Sequence, residues 1–365
     1  MKNRHESEIE LKNGQVETLN KEQLQAANGS LLHHSPAVVG DVIALLERAR
    51  GRTIVVVGDL MLDEWIIGNA SRISPEAPVP VVRFVERHTA PGGAANVAMN
   101  LLRLGAQVRL CGVIGDDEAG ADLAHELEKA GADIRGMVRD PSRPTTLKTR
   151  IVAQSQQQRQ QMVRVDRESD TVCSDIVRQQ MTASWASLLE GAAVLCISDY
   201  DKGFVSCPAA EDAIRCAKEM DIRVTGGPKP HNLLRFSGVD FLSLNQQETS
   251  DAANMKLNSE DAVREAGTRL LELTQCSAIA ITRSEHGVML LQREAVPRQI
   301  AAHAVEVFDG VGAGDTFLAA ASLALAADAD YIAAAQLGNL AAAASVRHRG
   351  VVAVTPDEVQ RVAAE

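Results

Sequence analysis

The chain has 365 residues, of which 45% are hydrophobic and 23% charged, so it can bury one large α/β core or two smaller cores. Its formal net charge of −11 argues against general affinity for nucleic acid or for an anionic membrane. No run approaches the roughly 20 apolar residues that a membrane helix needs, and the polar N-terminal residues lack the pattern of a secretory signal. We therefore expect a cytoplasmic protein, and its six cysteines, which form no C-x-x-C pair, are expected to be reduced thiols.

The N-terminal part of the chain differs in character from the rest. Residues 1–36 are polar and have too few apolar side chains for a core, which predicts a mobile extension. A folded domain is expected over residues 37–365, with a first helix that opens at Pro36 and includes residues 41–46. The run T-I-V-V-V at residues 53–57 is typical of a strand buried on both faces of a parallel sheet.

Short apolar runs then alternate with helical patterns along the chain. The runs occupy residues 108–114, 192–197, 222–225, 241–244 and 278–281. This alternation predicts a doubly wound α/β fold, in which a mostly parallel sheet is sandwiched by helices.

Polar and glycine residues follow the ends of these runs. They are Asp59, Asp199, Lys229, Asn245, Arg283 and the loop at residues 312–315. In an open α/β sheet, ligands bind in the crevice beyond the carboxyl ends of the strands. The sequence therefore predicts one functional cleft at this edge, although each residue taken alone could be a loop residue or a helix cap.

Two segments depart from the α/β alternation. Residues 79–85 form an extended run whose Pro80 favours an edge strand. Two further extended runs, residues 145–152 and 162–166, flank the glutamine-rich stretch at residues 154–161. We expect a small β lid over the cleft, from about residues 71–88 and 144–168, with ordinary surface β structure as the alternative.

A glycine-rich loop precedes an alanine-rich helix near the C-terminal end. The loop reads G-V-G-A-G at residues 310–314 and is followed by Asp315. Such a loop at a helix N-terminus presents N–H groups and partial positive charge to an anion. With Asp315 beside that anion, the pattern suggests phosphoryl transfer to a hydroxyl, and the alternative is a glycine turn with an aspartate helix cap.

Two commoner nucleotide sites are excluded by their motifs. The P-loop pattern G-x-x-x-x-G-K-[ST] is absent. The first strand is followed by a single glycine rather than G-x-G-x-x-G, which disfavours a dinucleotide-binding Rossmann domain.

Several motifs resemble those of the ribokinase-like (PfkB) carbohydrate kinases. D-G-V-G-A-G-D-T at residues 309–316 resembles their D-x-T-G-A-G-D-T signature, and P-G-G-A-A-N-V-A at residues 91–98 resembles their N-terminal signature. Within the family, G-D-L-M-L-D at residues 58–63 and S-D-Y-D-K-G at residues 198–203 are similar to the D-glycero-D-manno-heptose 7-phosphate kinases. Because the chain ends at residue 365, we expect the kinase-only form, without a fused nucleotidyltransferase domain.

The resemblance implies a reaction and a set of site residues. The reaction is ATP-dependent phosphorylation of the anomeric hydroxyl of a heptose 7-phosphate, in the synthesis of a lipopolysaccharide precursor. Asp315 would be the catalytic base, and the N–H groups of Gly312, Ala313 and Gly314 would bind the transferred phosphoryl group. The residues implied in substrate binding are Asp59, Asp63, Gly92, Gly93, Asn96, Lys148, Arg150 and Asp199.

The positions of Lys148 and Arg150 also suggest a phosphate site without reference to the resemblance. They alternate on one predicted strand face, and a local basic pair in an acidic protein suits a sugar that already carries a phosphate. The alternative is a pair of solvated charges on a strand face.

The resemblance also implies nucleotide and metal sites. The residues implied in nucleotide binding are Lys229, Asn245, Glu248, Thr282, Arg283, Gly287 and Asn339. Asn245 and Glu248 would hold Mg²⁺ indirectly, and Asp309 a monovalent cation. The N-x-x-E spacing of Asn245 and Glu248 also predicts a helix capping box, and both interpretations can hold together.

The expected partners are a sugar phosphate, ATP and a second copy of the chain bound through the β lid, with neither nucleic acid nor membrane. The sequence departs from the heptose kinases at Gly227, where they have the aspartate of D-P-K, and at Val311, where they have threonine. The glutamine-rich turn is also longer than usual. Two alternatives therefore stay open: a ribokinase-like kinase of another sugar, and a sugar- or nucleotide-binding homologue with weakened catalysis.

Overall fold

The computed structural model describes residues 36–154 and 159–365. The predicted N-terminal extension, apart from Pro36, and the middle of the glutamine-rich turn lie outside the described residues. The α-helices are α1 (Pro36–Ala49), α2 (Ala94–Arg103), α3 (Glu118–Ala130), α4 (Asp175–Leu189), α5 (Pro208–Glu219), α6 (Gln246–Ala253), α7 (Glu260–Thr274), α8 (Ala313–Ala326), α9 (Tyr331–Ser345) and α10 (Pro356–Ala364). The strands are β1 (Thr53–Gly58), β2 (Leu60–Ile73), β3 (Pro80–Gly93), β4 (Gln107–Ile114), β5 (Asp133–Arg139), β6 (Thr146–Gln154), β7 (Arg159–Arg167), β8 (Val194–Ser198), β9 (Arg223–Gly227), β10 (Phe241–Asn245), β11 (Ala278–Thr282), β12 (Val288–Gln292) and β13 (Arg298–Ile300).

The larger sheet confirms the predicted fold class. Its nine strands lie in the order β13-β12-β11-β10-β9-β8-β1-β4-β5. The strands from β11 to β5 in this order are parallel, and β12 and β13 are antiparallel. The chain leaves β1 toward β4 on one side and later adds β8 on the other side, so the strand order reverses at β1. Such a switch point is where open α/β sheets bind ligands.

The strand β1 is buried on both faces, as its β-branched sequence predicted. On one face Ile54 joins an apolar core that contains Leu101 of α2 and Phe317 of α8. On the other face Val55 joins a core that contains Trp185 of α4. Burying each aliphatic side chain of this kind stabilises the fold by roughly 1.5–3 kcal/mol. None of the helices in the described ranges is long and apolar enough to cross a membrane.

A second sheet of four strands, in the order β3-β2-β6-β7, forms the lid. The edge position of β3 agrees with the prediction from Pro80. The lid strands extend further than predicted, because β2 begins at Leu60 directly after β1, and β3 continues to Gly93. The strand β2 was not predicted from the sequence, because Asp63 and Glu64 interrupt its apolar run. In the structure both acids are buried, with 5% and 7% of their surface exposed.

Cys173 and Cys207 form a disulfide, which corrects the expectation that all six cysteines are reduced thiols. Cys173 precedes α4 and Cys207 is the N-cap residue of α5, and their α-carbons are 5.9 Å apart. That separation is within the usual range for a disulfide. The pairing depends on α4 packing beside α5, and 34 residues separate the two cysteines, so their spacing gave no sign of it.

Reduction of this disulfide should lower the free energy of unfolding by about 3–4 kcal/mol, because a cross-link across a long loop restricts the unfolded chain. Urea unfolding with and without a dithiol reductant measures the change, once mass spectrometry has shown that the thiols are free. The double variant Cys173→Ala, Cys207→Ala should lose the same free energy and be insensitive to the reductant. Equal stability of the wild-type chain in both conditions would contradict the cross-link.

Candidate active site

The loop before α8 has the form expected of an anion site. Gly312 has a left-handed backbone, with φ 81°, and no side chain caps the helix. The first helical hydrogen bond runs from the Thr316 N–H to the Gly312 carbonyl at 3.0 Å, and the Ala313 N–H donates to the Gly310 carbonyl at 3.3 Å, which leaves the N–H groups of Gly312 and Gly314 without a backbone acceptor among the described residues. At Gly314 no neighbouring atom of the described residues lies within 4 Å of the position that a Cβ would occupy. N–H groups of this first turn can therefore face a ligand, as helix N-termini commonly do toward phosphate.

Asp315 is buried beside this loop, with 8% of its surface exposed. The Asn96 side-chain amide donates to its Oδ2 at 2.8 Å, and the Tyr200 hydroxyl donates to its Oδ1 at 2.7 Å. Its carboxylate thus bonds side chains from two other elements rather than the N–H groups of its own helix. This arrangement rejects the alternative that Asp315 is an ordinary helix cap.

The environment of Asp315 makes it a stronger base than an exposed aspartate. Burial raises its pKa to about 6, because a charged carboxylate loses its hydration in the interior. The hydrogen bonds from Asn96 and Tyr200 act in the opposite direction, as does the nearby charge of Lys229. The carboxylate is therefore ionised at neutral pH and has a pKa close to the pH range in which a general base works best.

The glycine pair at the start of α2 lets Asn96 and Asp63 approach this carboxylate. Gly93 has a φ of 58°, and a Cβ there would lie 2.6 Å from the Asp59 carbonyl. A Cβ on Gly92 would overlap the Asp63 carboxylate. Side chains larger than hydrogen would therefore displace the lid strand that carries Asp63.

Asn96 is fixed in one orientation by a neighbour on its own helix. The Asn100 amide donates to the Asn96 Oδ1 at 3.2 Å, which leaves the Asn96 amide nitrogen to face Asp315. Asn100 is itself held by the Val354 N–H, which donates to its Oδ1 at 3.3 Å. Both asparagines are buried, so this orientation does not depend on solvent.

The lid presents Lys148 and Arg150 to the same cleft. Arg150 donates to Asp63 at 2.5 Å, and its guanidinium lies 5.0 Å from the centre of the Trp65 ring. The Lys148 ammonium lies 5.9 Å from the centre of the Tyr200 ring. No carboxylate of the described residues lies within salt-bridge distance of Lys148. Lys148 is therefore the unneutralised cation of the pair, whereas the charge of Arg150 is balanced by Asp63.

Asp59 was predicted to bind substrate, but its carboxylate holds a loop. Its two oxygens accept from the backbone N–H groups of Tyr200 at 2.8 Å, Lys202 at 3.1 Å and Phe204 at 3.1 Å. Only 3% of Asp59 is exposed, and burial raises its pKa. Asp59 thus determines where Tyr200 lies.

Asp199 holds a second connection in the same way. Its carboxylate accepts from the Asp201 N–H at 2.9 Å, the Lys229 N–H at 2.8 Å and the Asn232 side chain at 3.0 Å. Asp199 is buried, with 2% of its surface exposed. Each of these two carboxylates thus accepts three hydrogen bonds from the protein, and the binding of substrate by Asp59 or Asp199 remains a prediction.

Lys229, Asn245 and Glu248 meet at one side of the cleft. The Lys229 ammonium donates to Glu248 Oε1 at 2.6 Å and lies 5.2 Å from the centre of the Tyr200 ring. Asn245 and Glu248 form the predicted capping box, with bonds of 2.8 and 2.9 Å. Glu248 Oε1 thus faces the cleft while its Oε2 caps α6.

Asn245 and Glu248 are the residues that could take part in an indirect magnesium site. Within residues 36–154 and 159–365, no group of three or more His, Cys, Asp or Glu side chains could hold a metal. Magnesium is usually bound by one or two carboxylates together with water and substrate phosphates. Glu248, with Asn245 beside it, fits that indirect mode.

The remaining predicted nucleotide residues line the far end of the sheet. Thr282 pairs with Asn245 across β10 and β11. Arg283 is 6% exposed at its side chain and is bound to Glu260 at 2.8 Å. Asn339 donates to the Ala301 carbonyl at 2.7 Å. Arg283 and Asn339 therefore hold neighbouring segments in place, and their contact with a nucleotide remains a prediction.

Gly287 and Asp309 also have defined structural roles. Gly287 has a φ of 72°, and a Cβ there would overlap the Ile300 carbonyl. Asp309 accepts from the N–H groups of Val311 and Gly350, each at 3.0 Å. The binding of a monovalent cation by Asp309 remains a prediction.

Sequence reasoning missed Tyr200 as a site residue. It bonds Asp315 across 115 positions of the chain, so no local pattern revealed the contact. One signal was available, because Tyr200 follows the strand-end residue Asp199 and is one of only two tyrosines in the chain.

The sequence of this chain matches a known family and several curated proteins. A family model described as pfkB family carbohydrate kinase matches residues 52–358. Relatives named "Bifunctional protein HldE" are 38% identical over 310 residues in Bradyrhizobium sp. and 39% identical over 319 residues in Geobacter metallireducens. They cover 85% and 87% of this chain, which spans only 63% and 64% of their own lengths.

Solved structures support the predicted ribokinase-like fold. Phosphofructokinase-2 from Escherichia coli, in complex with potassium, matches with a TM-score of 0.71 at 19% identity and covers 86% of this chain and 98% of that one. The ribokinase of Arabidopsis thaliana, in complex with ribose and ATP, matches with a TM-score of 0.65 at 17% identity, covering 86% and 99%. At these identities the likeness shows the fold alone, and it confirms the α/β architecture with its four-stranded lid.

The variant Asp315→Asn should be more stable than the wild-type chain at pH 8, by about 3 kcal/mol. The folded-state pKa of Asp315 lies about two units above its ordinary value of 3.8, so the wild-type fold weakens as pH rises from about 4 to 6. An asparagine can keep both partners, since the Tyr200 hydroxyl can accept as well as donate. Denaturant unfolding at pH 8 and at pH 4 measures the difference, which should vanish at pH 4.

The same variant should show no measurable turnover. If Asp315→Asn were less stable than the wild type at pH 8, this would contradict the conclusion that ionisation of the buried Asp315 destabilises the fold. The substitution Asp41→Asn, at an exposed position of α1 with no ion pair among the described residues, serves as the control and should leave stability unchanged at both pH values.

Proposed function

Because the chain belongs to the pfkB family of carbohydrate kinases, which are ATP-dependent phosphotransferases, we propose that it phosphorylates the anomeric hydroxyl of a heptose 7-phosphate. The observation that carries the proposal is the unneutralised Lys148 on the lid, which faces the cleft of the buried base Asp315. The similarity to the two relatives named "Bifunctional protein HldE" supports this proposal. We also propose, from the resemblance of the motifs to the heptose kinases, that the product serves lipopolysaccharide heptose synthesis in the cytoplasm.

The transfer follows from the positions of Asp315 and the loop before it. The sugar oxygen attacks the terminal phosphorus of ATP, its proton passes to the Asp315 carboxylate, and the bond from phosphorus to the ADP oxygen breaks. The N–H groups of Gly312 and Gly314, at the positive end of α8, stabilise the charge on the transferred group, and the Ala313 N–H joins them once it leaves the Gly310 carbonyl. Lys229 adds a cation beside Glu248 at the nucleotide side.

Glu248 and Asn245 would hold a magnesium ion through water and phosphate oxygens. When bound, the ion supplies positive charge that neutralises the phosphates of ATP. Lys229 already bonds one oxygen of Glu248, which keeps that carboxylate turned toward the cleft. A monovalent cation near Asp309 belongs to the same proposal.

The sugar would lie between the lid and α2. Asp63, Asn96 and the backbone at Gly92 and Gly93 can accept and donate hydrogen bonds to its hydroxyls, because the two glycines leave no side chain in the way. Asp63 is 5% exposed and its charge is balanced by Arg150, so it can bond a hydroxyl without leaving an unpaired buried charge. The remote phosphate would then meet Lys148.

Two observations bear on the alternatives. Gly227 has no side chain where the heptose kinases carry a carboxylate, and a Cβ added there would lie 3.2 Å from Leu318. That replacement favours altered rate or substrate choice, and thus a kinase for another sugar. The intact contacts of Asp315 with Asn96 and Tyr200 oppose a binding protein without catalysis.

A second copy of the chain is proposed as a partner through the lid. The lid exposes apolar side chains that a monomer would leave in water, since Phe84, Val163 and Val165 are 62%, 48% and 53% exposed. These residues lie on strands at the two edges of the four-stranded sheet. Pairing of two lids would bury them.

The substrate proposal predicts a ranking in an ATP-consumption assay. Heptose 7-phosphate should give a higher kcat/KM than free heptose, hexoses or pentoses, and phosphorus NMR should show a new phosphate on the anomeric carbon. Lys148→Ala should raise the KM for heptose 7-phosphate by about 10- to 100-fold, because a charge-assisted hydrogen bond is lost. The KM for the unphosphorylated sugar should not change.

The exposed Lys129 of α3 provides a matched control, and Lys129→Ala should alter neither KM. Equal changes of KM for the phosphorylated and unphosphorylated sugars in Lys148→Ala would reject the role of Lys148. A preference of the wild-type enzyme for a free sugar would favour the kinase of another sugar.

The dimer proposal predicts that Val163→Asp dissociates the protein, because a carboxylate in an apolar interface is strongly disfavoured. Sedimentation equilibrium should give twice the chain mass for the wild type and the single mass for the variant. Val296→Asp changes an 82% exposed valine outside the lid and should remain dimeric. A wild-type protein of single mass would refute the proposal.

A further inference from the structure

Tyr200 occupies the space between the base and two lysines. Its hydroxyl donates to Asp315 Oδ1 at 2.7 Å, and its ring lies 5.9 Å from the Lys148 ammonium and 5.2 Å from the Lys229 ammonium. Lys148 comes from the lid and Lys229 follows β9, so one side chain contacts the base, the lid and the nucleotide side of the cleft.

The backbone fixes the position of this phenol. The Tyr200 N–H donates to the buried Asp59 carboxylate at 2.8 Å, and two further N–H groups of the same loop donate to that carboxylate. A Cβ on Gly203 would overlap the Thr171 carbonyl, so the loop is packed against the segment that leaves the lid. A loop held by several backbone bonds presents its side chain in one place.

The ring holds the two lysines without neutralising them. A lysine over an aromatic face is attracted by the negative potential of the ring, and this attraction leaves the ammonium positive. A carboxylate in the same place would instead cancel the charge that a phosphate needs. Lys148 thus remains available to anionic oxygens of a substrate, whereas Lys229 already pairs with Glu248 at 2.6 Å on the nucleotide side of the cleft.

We propose that Tyr200 is a positioning residue for catalysis, whose hydroxyl orients Oδ1 of Asp315 toward the sugar and whose ring seats Lys148 and Lys229. The proposal rests on the phosphoryl transfer proposed above. With Asn96 holding Oδ2 and Tyr200 holding Oδ1, the carboxylate cannot rotate, and each oxygen retains a lone pair that can accept a proton.

The charges around Asp315 determine how removal of the Tyr200 hydroxyl would change the pKa of Asp315. Asp63 of β2 raises the pKa of Asp315, whereas Lys229, Asn96 and Tyr200 lower it. Cys196 of β8 also faces Asp315, and its own pKa is raised to about 11, mainly by burial, so it stays a neutral thiol. Glu248 of α6 faces Tyr200.

Tyr200 itself remains a donor throughout the working range. Burial first, and then the charge of Asp315, raise its pKa well above the ordinary value for tyrosine. Removal of this donor leaves Asn96 as the remaining side chain that donates to the Asp315 carboxylate. The ionised form then becomes less stable relative to the protonated form, so the pKa of Asp315 rises.

The test compares Tyr200→Phe with the wild type. The variant keeps the ring, so KM for both substrates should stay unchanged, while kcat at pH 8 should fall about 10-fold. The ratio of variant to wild-type kcat should fall further as pH is lowered toward 6, because more of the variant's Asp315 is protonated. Ionisation of the substrates cancels in this ratio. Tyr200→Leu, which also removes the ring, should in addition raise the KM for the phosphorylated sugar.

A readout independent of activity separates this proposal from the proposed function. In protein labelled with carbon-13 at the aspartate carboxyl, the signal absent from Asp315→Asn belongs to Asp315. It should titrate at a higher pH in Tyr200→Phe than in the wild type. Tyr331→Phe is the matched control, since Tyr331 stacks on Phe241 outside the cleft, and it should change neither kcat nor the titration.

Each outcome decides one of the two proposals. An unchanged Asp315 titration in a folded Tyr200→Phe would overturn the role of Tyr200, as would an unchanged kcat. A shifted titration together with a wild-type protein that phosphorylates no sugar would support the contact of Tyr200 with Asp315 and reject the proposed function.

Discussion

The carboxylate of Asp315 is buried at the start of a helix, and a buried charge persists only when fixed donors replace the water it has lost. Its donors come from α2 and from the loop after β8, which are distant in sequence. Each of these elements is placed by another constraint. The glycine pair before α2 lets Asn96 approach Asp315, and the Asp59 carboxylate accepts hydrogen bonds from the backbone of the loop that carries Tyr200. The switch point of the parallel sheet brings both to the same edge.

Four aspartates of this edge have different tasks because their donors differ. Asp59 and Asp199 bind mainly backbone N–H groups and so fold the loops behind the cleft. Asp63 is balanced by Arg150 on the neighbouring lid strand, which fixes both side chains on the face of the lid that borders the cleft. Asp315 is held by two neutral donors and has no cation in direct contact. This arrangement leaves it ionised at neutral pH yet able to take a proton, which neither a saturated nor an ion-paired carboxylate does well.

Local patterns predicted the parts of the structure that depend on neighbours in sequence. The buried strand at residues 53–57, the glycine loop before α8 and the capping box of Asn245 and Glu248 were all of this kind. Contacts between distant residues could not be predicted. The disulfide of Cys173 and Cys207, the strand β2 with its buried acids, and the bond from Tyr200 to Asp315 each require the folded chain. For the same reason, the backbone donors of Asp59 could not be predicted, because they lie on the loop at residues 200–204 and meet the carboxylate only in the folded chain.

The pH dependence of kcat/KM for the sugar tests most directly whether Asp315 takes the proton of the attacking hydroxyl, because kcat/KM reports groups of the enzyme before the sugar binds. It should be measured from about pH 5 to pH 9 with saturating ATP, with heptose 7-phosphate and with unphosphorylated heptose, because a sugar phosphate itself ionises near pH 6. The wild-type kcat/KM should be constant at high pH and should decrease below about pH 6 as Asp315 becomes protonated, with both sugars. A kcat/KM that does not decrease with unphosphorylated heptose down to pH 5 would contradict Asp315 as the base.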